Sequence, residues 1–222
     1  MIELNHVTKS FGSLLLLKDI SAVFQGGRVH LITGRNGSGK STLLRIIGGL
    51  TEIDAGTVSF HDENAMIGYL GHTTFLYPNL TAMENLAFWQ NAYDRTADDE
   101  AIMSVLKRVG LLPFAYTRAA VFSRGMAQRL SLARILLLQP EILLLDEPET
   151  GLDASSRSLL EKEVFAARNN GSCILWVSHA AAAERCRADA VFEIRDCGLF
   201  EAMPSSSSER DRLAAGGNTC SN

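Results

Sequence analysis

The segment GRNGSGKST, residues 34–42, restricts the possible folds more than any other part of the chain. It follows a short β-rich run, RVHLIT at 28–33, and from Ser41 onward apolar residues recur at helical spacing. The segment matches the pattern G-x-x-x-x-G-K-[ST] in full, and its place between a predicted strand and a predicted helix is the one that this pattern requires. A chance glycine-rich turn is the alternative, but it would not need the flanking strand and helix. The sequence therefore predicts an α/β fold with a phosphate-binding loop.

The residue types of this loop each suit a nucleotide phosphate. Glycines let backbone N–H groups turn inward around phosphate oxygens, and the following helix presents its positive end. Lys40 is predicted to reach the terminal phosphates, and the Ser41 hydroxyl to bind magnesium. The candidate nucleotide-binding residues in this stretch are Gly34, Arg35, Asn36, Gly37, Ser38, Gly39, Lys40, Ser41 and Thr42.

A second motif, ILLLDEPETGLD at 142–153, supplies acidic groups. An apolar strand that ends in Asp146 would place a carboxylate beside the magnesium ion. Glu147 follows at once and is predicted to polarise a water molecule for in-line attack on the terminal phosphate. Taken alone, the same residues could form a plain turn after a strand. Together with the loop at 34–42, they predict a magnesium-dependent nucleotide hydrolase.

The order of patterns along the chain predicts a core with a helical insertion. The first 71 residues read mostly as strands, and helical periodicity then dominates from about 72 to 138, where Thr81 and Glu84 form a capping-box pattern. Unbroken apolar runs at 142–145 and 173–177 suit a parallel sheet covered on both faces. We therefore expect a core formed by 1–71 and 139–203, a helical insertion at 72–138, and a disordered tail at 204–222.

Composition excludes several classes of function. The net charge of −4 provides no basic field for nucleic acid, and the apolar runs are too short to span a bilayer. The N-terminal segment does not resemble a signal peptide, so we expect a cytoplasmic protein whose membrane role, if any, depends on a partner. The 4 cysteines show no C-x-x-C pair and no spacing for zinc.

With these motifs in this order, residues 2–200 resemble the ATP-binding subunits of ATP-binding-cassette (ABC) transporters. The resemblance implies a P-loop NTPase (RecA-like) core with an antiparallel β subdomain and an inserted α-helical subdomain. It also implies ATP and Mg²⁺, bound between two head-to-tail subunits that act on an integral membrane transporter subunit. In this family, the position of Phe11 stacks on adenine, although a core phenylalanine is the alternative. Asp153 matches the loop that links the two nucleotide sites, and His179 matches a histidine that contacts the γ-phosphate.

The segment FSRGMAQR at 122–129 occupies the place of the family signature, usually written LSGGQ. In the family, this helix directs its N-terminus at the ATP bound to the opposite subunit. By resemblance, Ser123 would donate its hydroxyl and Gly125 its backbone N–H to that γ-phosphate. The departures are Phe122, Arg124 and Met126. An ordinary serine-capped helix is the alternative.

His72 stands where the family normally has a glutamine near the magnesium ion or the attacking water. A neutral imidazole can still make a hydrogen bond there, which would give a pH sensitivity near neutrality. A surface histidine without a sensor role is the alternative.

Finally, YLGH at 69–72 with LTAMENLAFW at 80–89 resembles the heme-exporter ATPases of cytochrome c maturation. The resemblance implies an ATPase at the cytoplasmic face of the inner membrane. Another export cargo, such as a drug, lipid or peptide, remains an alternative. A soluble ABC ATPase and a binding module that does not hydrolyse nucleotide are further alternatives.

Overall fold

The structure is a computed structural model that describes residues 1–71, 74–93, 98–150, 152–178 and 188–202. Within these ranges the strands and helices follow the chain as β1 Ile2–Phe11, β2 Leu14–Phe24, β3 Arg28–Gly34, α1 Lys40–Ile47, β4 Ala55–Phe60, β5 Ile67–Leu70, α2 Ala82–Ala92, α3 Asp99–Arg108, α4 Arg124–Leu138, β6 Ile142–Asp146, α5 Ala154–Asn169, β7 Cys173–Val177, β8 Ala190–Arg195 and β9 Gly198–Ala202. The proposed tail at 204–222 lies outside the described residues.

A 3-stranded antiparallel sheet forms from the N-terminal part of the chain, in the order β2-β1-β4. β1 and β2 form a hairpin in which Phe11 faces Leu14 across a turn at Gly12, where φ is +58°. Ile2, Leu4 and Val7 of β1 are buried. Ile2 and Leu4 follow the alternation of a strand with one buried face, and a register shift between Leu4 and Val7 brings Val7 to the buried face as well.

A 6-stranded sheet forms the centre of the fold, in the order β5-β6-β7-β3-β8-β9. Neighbouring strands from β5 to β8 pair in parallel, and β9 is antiparallel to β8. Every residue of β6 and β7 is buried. The predicted parallel sheet, covered on both faces, is confirmed.

The central sheet separates two apolar clusters. Alternate residues of β6 belong to different clusters: Leu143 and Leu145 pack with the helical side, whereas Ile142 and Leu144 pack with α1 and the antiparallel sheet. This alternation is the period of a strand with both faces buried. The carboxyl ends of β3, β5, β6 and β7 therefore meet at one edge, and that edge carries the functional motifs.

Two of the helices between β5 and β6, α2 and α4, start at the signals found in the sequence. The Thr81 hydroxyl accepts the Glu84 backbone N–H, and the Glu84 carboxylate accepts the Thr81 backbone N–H, so the predicted capping box is confirmed. Ser123 caps α4, and the helix ends at Gln139, before Pro140. No helix within the described ranges is both long enough and apolar enough to cross a bilayer.

Candidate active site

The glycine-rich loop lies at the carboxyl end of β3, and Gly34, Gly37 and Gly39 have positive φ angles that favour glycine. A Cβ on Gly39, where φ is +105°, would lie 2.8 Å from the Leu17 side chain. A Cβ on Gly34, where φ is +147°, would lie 2.7 Å from the Ile194 carbonyl oxygen. An L-residue with a side chain is strained at such φ values even without these contacts. The loop tip at Arg35–Gly37 is exposed.

Lys40 lies over this loop and is only 5% exposed. Its Nζ donates to the carbonyl oxygens of Gly34 at 2.9 Å and Arg35 at 3.2 Å. α1 begins at Lys40 without an acidic residue in its first turn and without a side-chain cap. The Ser38 hydroxyl is buried and has no hydrogen-bond partner among the described residues. A cation, a positive helix end and an unpaired hydroxyl in one place fit the phosphate groups of a nucleotide.

Asp146, at the end of β6, is 5% exposed and accepts hydrogen bonds from two hydroxyl groups. Its Oδ1 accepts a hydrogen bond from Ser41 Oγ at 2.8 Å, and its Oδ2 accepts one from the Tyr69 hydroxyl at 2.8 Å. The structure therefore brings together the serine and the aspartate that the sequence proposes as magnesium ligands. Hydroxyl and carboxylate oxygens are the ligands that Mg²⁺ prefers, so these residues fit that ion.

Tyr69 is a site residue that the sequence argument did not identify. The only signal in the sequence was its place near the end of a short apolar run. The pairing of this strand with β6, in which Tyr69 is in register with Leu144, is seen only in the structure. Burial, followed by the negative charge of Asp146, raises the pKa of the Tyr69 phenol well above its usual range. The phenol is therefore a hydrogen-bond donor to the carboxylate throughout the neutral range.

Glu147 directly follows Asp146 and has a left-handed backbone, with φ of +50°. Its N–H donates to the Val177 carbonyl oxygen at 3.0 Å, at the end of the neighbouring strand β7. A left-handed conformation is costly for a residue other than glycine and is often found at functional sites. The sequence pattern did not predict this backbone, which turns the chain out of β6 at the edge that carries Asp146 and the loop.

Ser123 and Gly125 lie at the start of α4 in the helical segment. Ser123 is exposed, and its Oγ accepts the Met126 backbone N–H at 3.2 Å. A Cβ placed on Gly125 would meet no heavy atom within 4 Å. The fold of this chain therefore gives no steric reason for glycine at 125.

Asp153 is the N-cap of α5. Its Oδ1 accepts the Ser156 backbone N–H at 2.7 Å and the Ser155 hydroxyl at 2.9 Å. These hydrogen bonds, led by the one from Ser156, lower the pKa of the Asp153 carboxyl from 3.8 to about 2. The residue that the resemblance assigns to communication between subunits thus also stabilises a helix within its own chain.

We expect Asp153→Ala to lower the melting temperature at neutral pH, and Asp153→Asn to lower it less because the amide oxygen can still accept the cap hydrogen bond. The carboxyl has a depressed pKa when folded, so its stabilisation is present above pH 3.8 and is lost as the pH falls towards 2. The difference in the free energy of unfolding between wild type and Asp153→Ala, measured by urea unfolding, should therefore become smaller as the pH falls over that interval. Equal stability at neutral pH would contradict the capping role.

Phe11 lies at the end of β1 and is 53% exposed, with Lys9 Nζ 5.3 Å from its ring centroid. It is therefore not a core residue, which was the alternative to a nucleotide contact. The predicted catalytic residues His72 and His179 lie outside the described residues.

The family model for the ABC transporter matches residues 17–150. A cytochrome c biogenesis ATP-binding export protein of Vibrio cholerae is 34% identical over 191 residues, which cover 81% of this chain and 91% of that protein. The chain belongs to the ABC transporter family. It is an ATP-hydrolysing, ATP-binding subunit of this family, so ATP is confirmed as its nucleotide.

Other relatives of this ABC subunit carry different names. A linearmycin resistance ATP-binding protein of Bacillus subtilis is 33% identical over 81% of this chain and 61% of that protein. A sulfate/thiosulfate import ATP-binding protein of Photorhabdus laumondii is 38% identical over 72% of this chain and 48% of that protein. The chain thus spans about half the length of this import relative.

Solved structures agree with the fold of this ABC subunit. The ATP-binding subunit of an ABC transporter matches with a TM-score of 0.84 at 23% identity, covering 99% of this chain and 95% of that one. A dimeric ATP-binding cassette bound to ADP and Pi in a post-hydrolysis state matches with a TM-score of 0.82 at 26% identity, covering 93% of this chain and 100% of the other. The predicted P-loop NTPase core with its antiparallel sheet and inserted helices is confirmed.

Proposed function

We propose that this ABC subunit hydrolyses ATP to drive an export complex that supplies heme for cytochrome c maturation. The observation that carries the pathway is the match to the export protein of Vibrio cholerae, which spans 91% of that relative. A second relative of the same name, from Aliivibrio fischeri, is 34% identical over 92% of its length. The import and resistance relatives are matched over only about half to three-fifths of their own length.

For the chemistry, we propose that the loop at 34–42 and Lys40 bind the phosphates, and that Ser41 and Asp146 hold Mg²⁺. Bound Mg²⁺ would neutralise charge that develops on the phosphate oxygens. The Ser41–Asp146 hydrogen bond of 2.8 Å supports this assignment, because it brings the two oxygens to one point beside the loop. Glu147, at the same sheet edge, orients the attacking water and accepts its proton. By resemblance alone, we assign His179 to the γ-phosphate and His72 to the magnesium ion or the attacking water.

For the assembly, we propose a homodimer in which each chain completes the site of the other. Ser123 and Gly125 would face the γ-phosphate on the partner, and Asp153 would lie between the two sites. The exposed position of Ser123 and the open space at Gly125 support this arrangement. Phe11, exposed at the end of β1, would contact adenine. The solved cassettes that resemble this chain include dimers.

For the organisation, we propose that 1–71 and 139–203 form the nucleotide-hydrolysing core and that 72–138 forms the part that meets an integral membrane subunit. The two sheets are formed by the first and last parts of the chain, and α2, α3 and α4 come from the middle. The ATPase would then be held at the cytoplasmic face of the membrane by its partner. We propose no nucleic-acid partner, since the net charge is −4.

Deleting the gene tests the pathway. We expect covalent heme in c-type cytochromes to disappear while b-type heme remains, as measured by heme-stained gels and difference spectra. A plasmid with the wild-type gene should restore the c-type cytochromes, and one with Glu147→Gln should not. Normal c-type cytochromes in the deletion strain would overturn the pathway assignment. In that case the complex would carry a different cargo, as the relatives named for resistance and import suggest. The membrane subunit that co-purifies with the chain would identify that cargo.

A further inference from the structure

The Tyr69 hydroxyl donates a hydrogen bond to one of the two carboxylate oxygens of Asp146, the proposed magnesium ligand. Asp146 Oδ1 accepts a hydrogen bond from the Ser41 hydroxyl and Oδ2 accepts one from the Tyr69 hydroxyl, each at 2.8 Å. Two donors on opposite oxygens fix the rotation of a buried carboxylate more firmly than one donor does. The charged acceptor also makes these hydrogen bonds stronger than those between neutral groups.

The ring of Tyr69 is fixed on two further sides. A Cβ on Gly71 would lie 2.8 Å from Tyr69 Cε1 and 3.3 Å from the Asp146 Cβ, so glycine at 71 lets the ring lie against the carboxylate. On another side, the Phe75 ring meets the Tyr69 ring edge-on at 6.1 Å between centroids. The orientation of the hydroxyl is therefore set by packing and not by the hydrogen bond alone.

A buried arginine from the helical segment also holds the Tyr69 backbone. Arg134 on α4 is 5% exposed and donates to the Tyr69 carbonyl oxygen at 2.7 Å. Its guanidinium lies 5.4 Å from the Phe75 ring centroid and 4.8 Å from that of Trp89 on α2. Burial lowers the pKa of Arg134 to about 10, so it remains a cation at neutral pH. These residues line a cavity of about 150 Å³ together with Tyr69 and Tyr93.

We propose that Tyr69 is a positioning residue of the metal site, which holds Asp146 Oδ2 so that Oδ1 stays beside Ser41. The proposal rests on the assignment of Ser41 and Asp146 as metal ligands under Proposed function. Residues that orient a metal ligand through a hydrogen bond change metal affinity by about 10- to 100-fold when they are removed. Tyr69 thereby makes the metal site depend on the packing of α2 and α4, because Phe75 packs against its ring, Arg134 of α4 holds its backbone, and Trp89 of α2 packs against Arg134.

Tyr69→Phe tests the proposal, because it removes the hydroxyl and keeps the ring. Mn²⁺, which serves as an electron paramagnetic resonance probe for Mg²⁺, is titrated into the full-length protein with saturating ADP, so that no hydrolysis occurs. We expect Mn²⁺ to bind about 10-fold more weakly to Tyr69→Phe than to wild type. ADP binding without metal should not change. Gly71→Ala keeps the hydroxyl but displaces the ring, and it should weaken Mn²⁺ binding in the same direction.

Tyr93→Phe is the matched control, since Tyr93 lines the same cavity and its ring lies 6.3 Å from that of Trp89. It should bind Mn²⁺ like wild type. Equal Mn²⁺ affinity in wild type and Tyr69→Phe would overturn the proposal. An equal loss of ADP affinity with and without Mn²⁺ would also overturn it, because the hydroxyl would then support the whole nucleotide site. A wild-type protein that shows no Mn²⁺ binding with ADP would instead refute the metal site itself.

Discussion

Glu147→Gln should lower steady-state ATP hydrolysis by about 100- to 10,000-fold, the usual range for losing a general base. Glutamine has nearly the size of glutamate but cannot accept the proton of the attacking water. The left-handed backbone at Glu147 and its N–H bond to Val177 do not involve the side chain and should remain. ATP should therefore still bind with Mg²⁺. Measuring both the amount of bound nucleotide and the rate of phosphate release separates a loss of hydrolysis from a loss of binding.

Glu149→Gln is the matched control for this variant. It changes an acid two positions further along the same turn, whose Oε2 lies 3.9 Å from Arg157 Nε. This variant should hydrolyse ATP at nearly the wild-type rate. Wild-type turnover by Glu147→Gln would remove Glu147 from its proposed role. Absence of Mg²⁺-dependent phosphate release from the wild-type protein would support the binding-module alternative.

Gly125→Ala should lower ATP hydrolysis by about 100-fold or more without weakening the fold. The reason is that a methyl group at 125 would keep its backbone N–H from the γ-phosphate on the opposite chain, and the loss of one such donor typically costs this much. Within the chain, the added Cβ meets no heavy atom within 4 Å, and alanine favours a helix over glycine. The melting temperature of the isolated protein should therefore stay the same or rise.

Mixing two inactive variants tests whether the site is shared between chains. In a head-to-tail pair of one Gly125→Ala chain and one Glu147→Gln chain, one site has both Glu147 and the partner's glycine, while the other site lacks both. If the variants mix at random and the sites act independently, about a quarter of wild-type activity should return. A mixture that exchanges subunits yet stays as inactive as its components would contradict a shared site.

The sequence predicted those parts of the structure that depend on local pattern. The strand, loop and helix around Lys40, the capping box at Thr81 and the cap at Ser123 all rest on residues close together in the chain. Their physical rules act over a few residues, so a single sequence contains them. The roles given to Asp146 and Glu147 also followed from a short motif, and they remain predictions.

The sequence could not predict what depends on distant parts of the chain. Tyr69 reaches Asp146 only because β5 pairs with β6, and the sequence separates them by the whole helical segment. Likewise, nothing in the sequence of α4 distinguishes Arg134 from its other polar residues, although the fold buries it against Phe75 and Trp89. Strand order and such pairs are set by tertiary packing, which local periodicity does not encode.

Leu17 of β2 packs directly over Gly39 of the phosphate loop. Phe11, the proposed adenine contact, belongs to the same antiparallel sheet, so this sheet connects the proposed base site to the loop that is proposed to bind the phosphates. ATP and ADP present the same base and the same first two phosphates to these elements. Discrimination between ATP and ADP must then come from groups that contact the third phosphate, and in the proposed dimer two of these, Ser123 and Gly125, belong to the neighbouring chain.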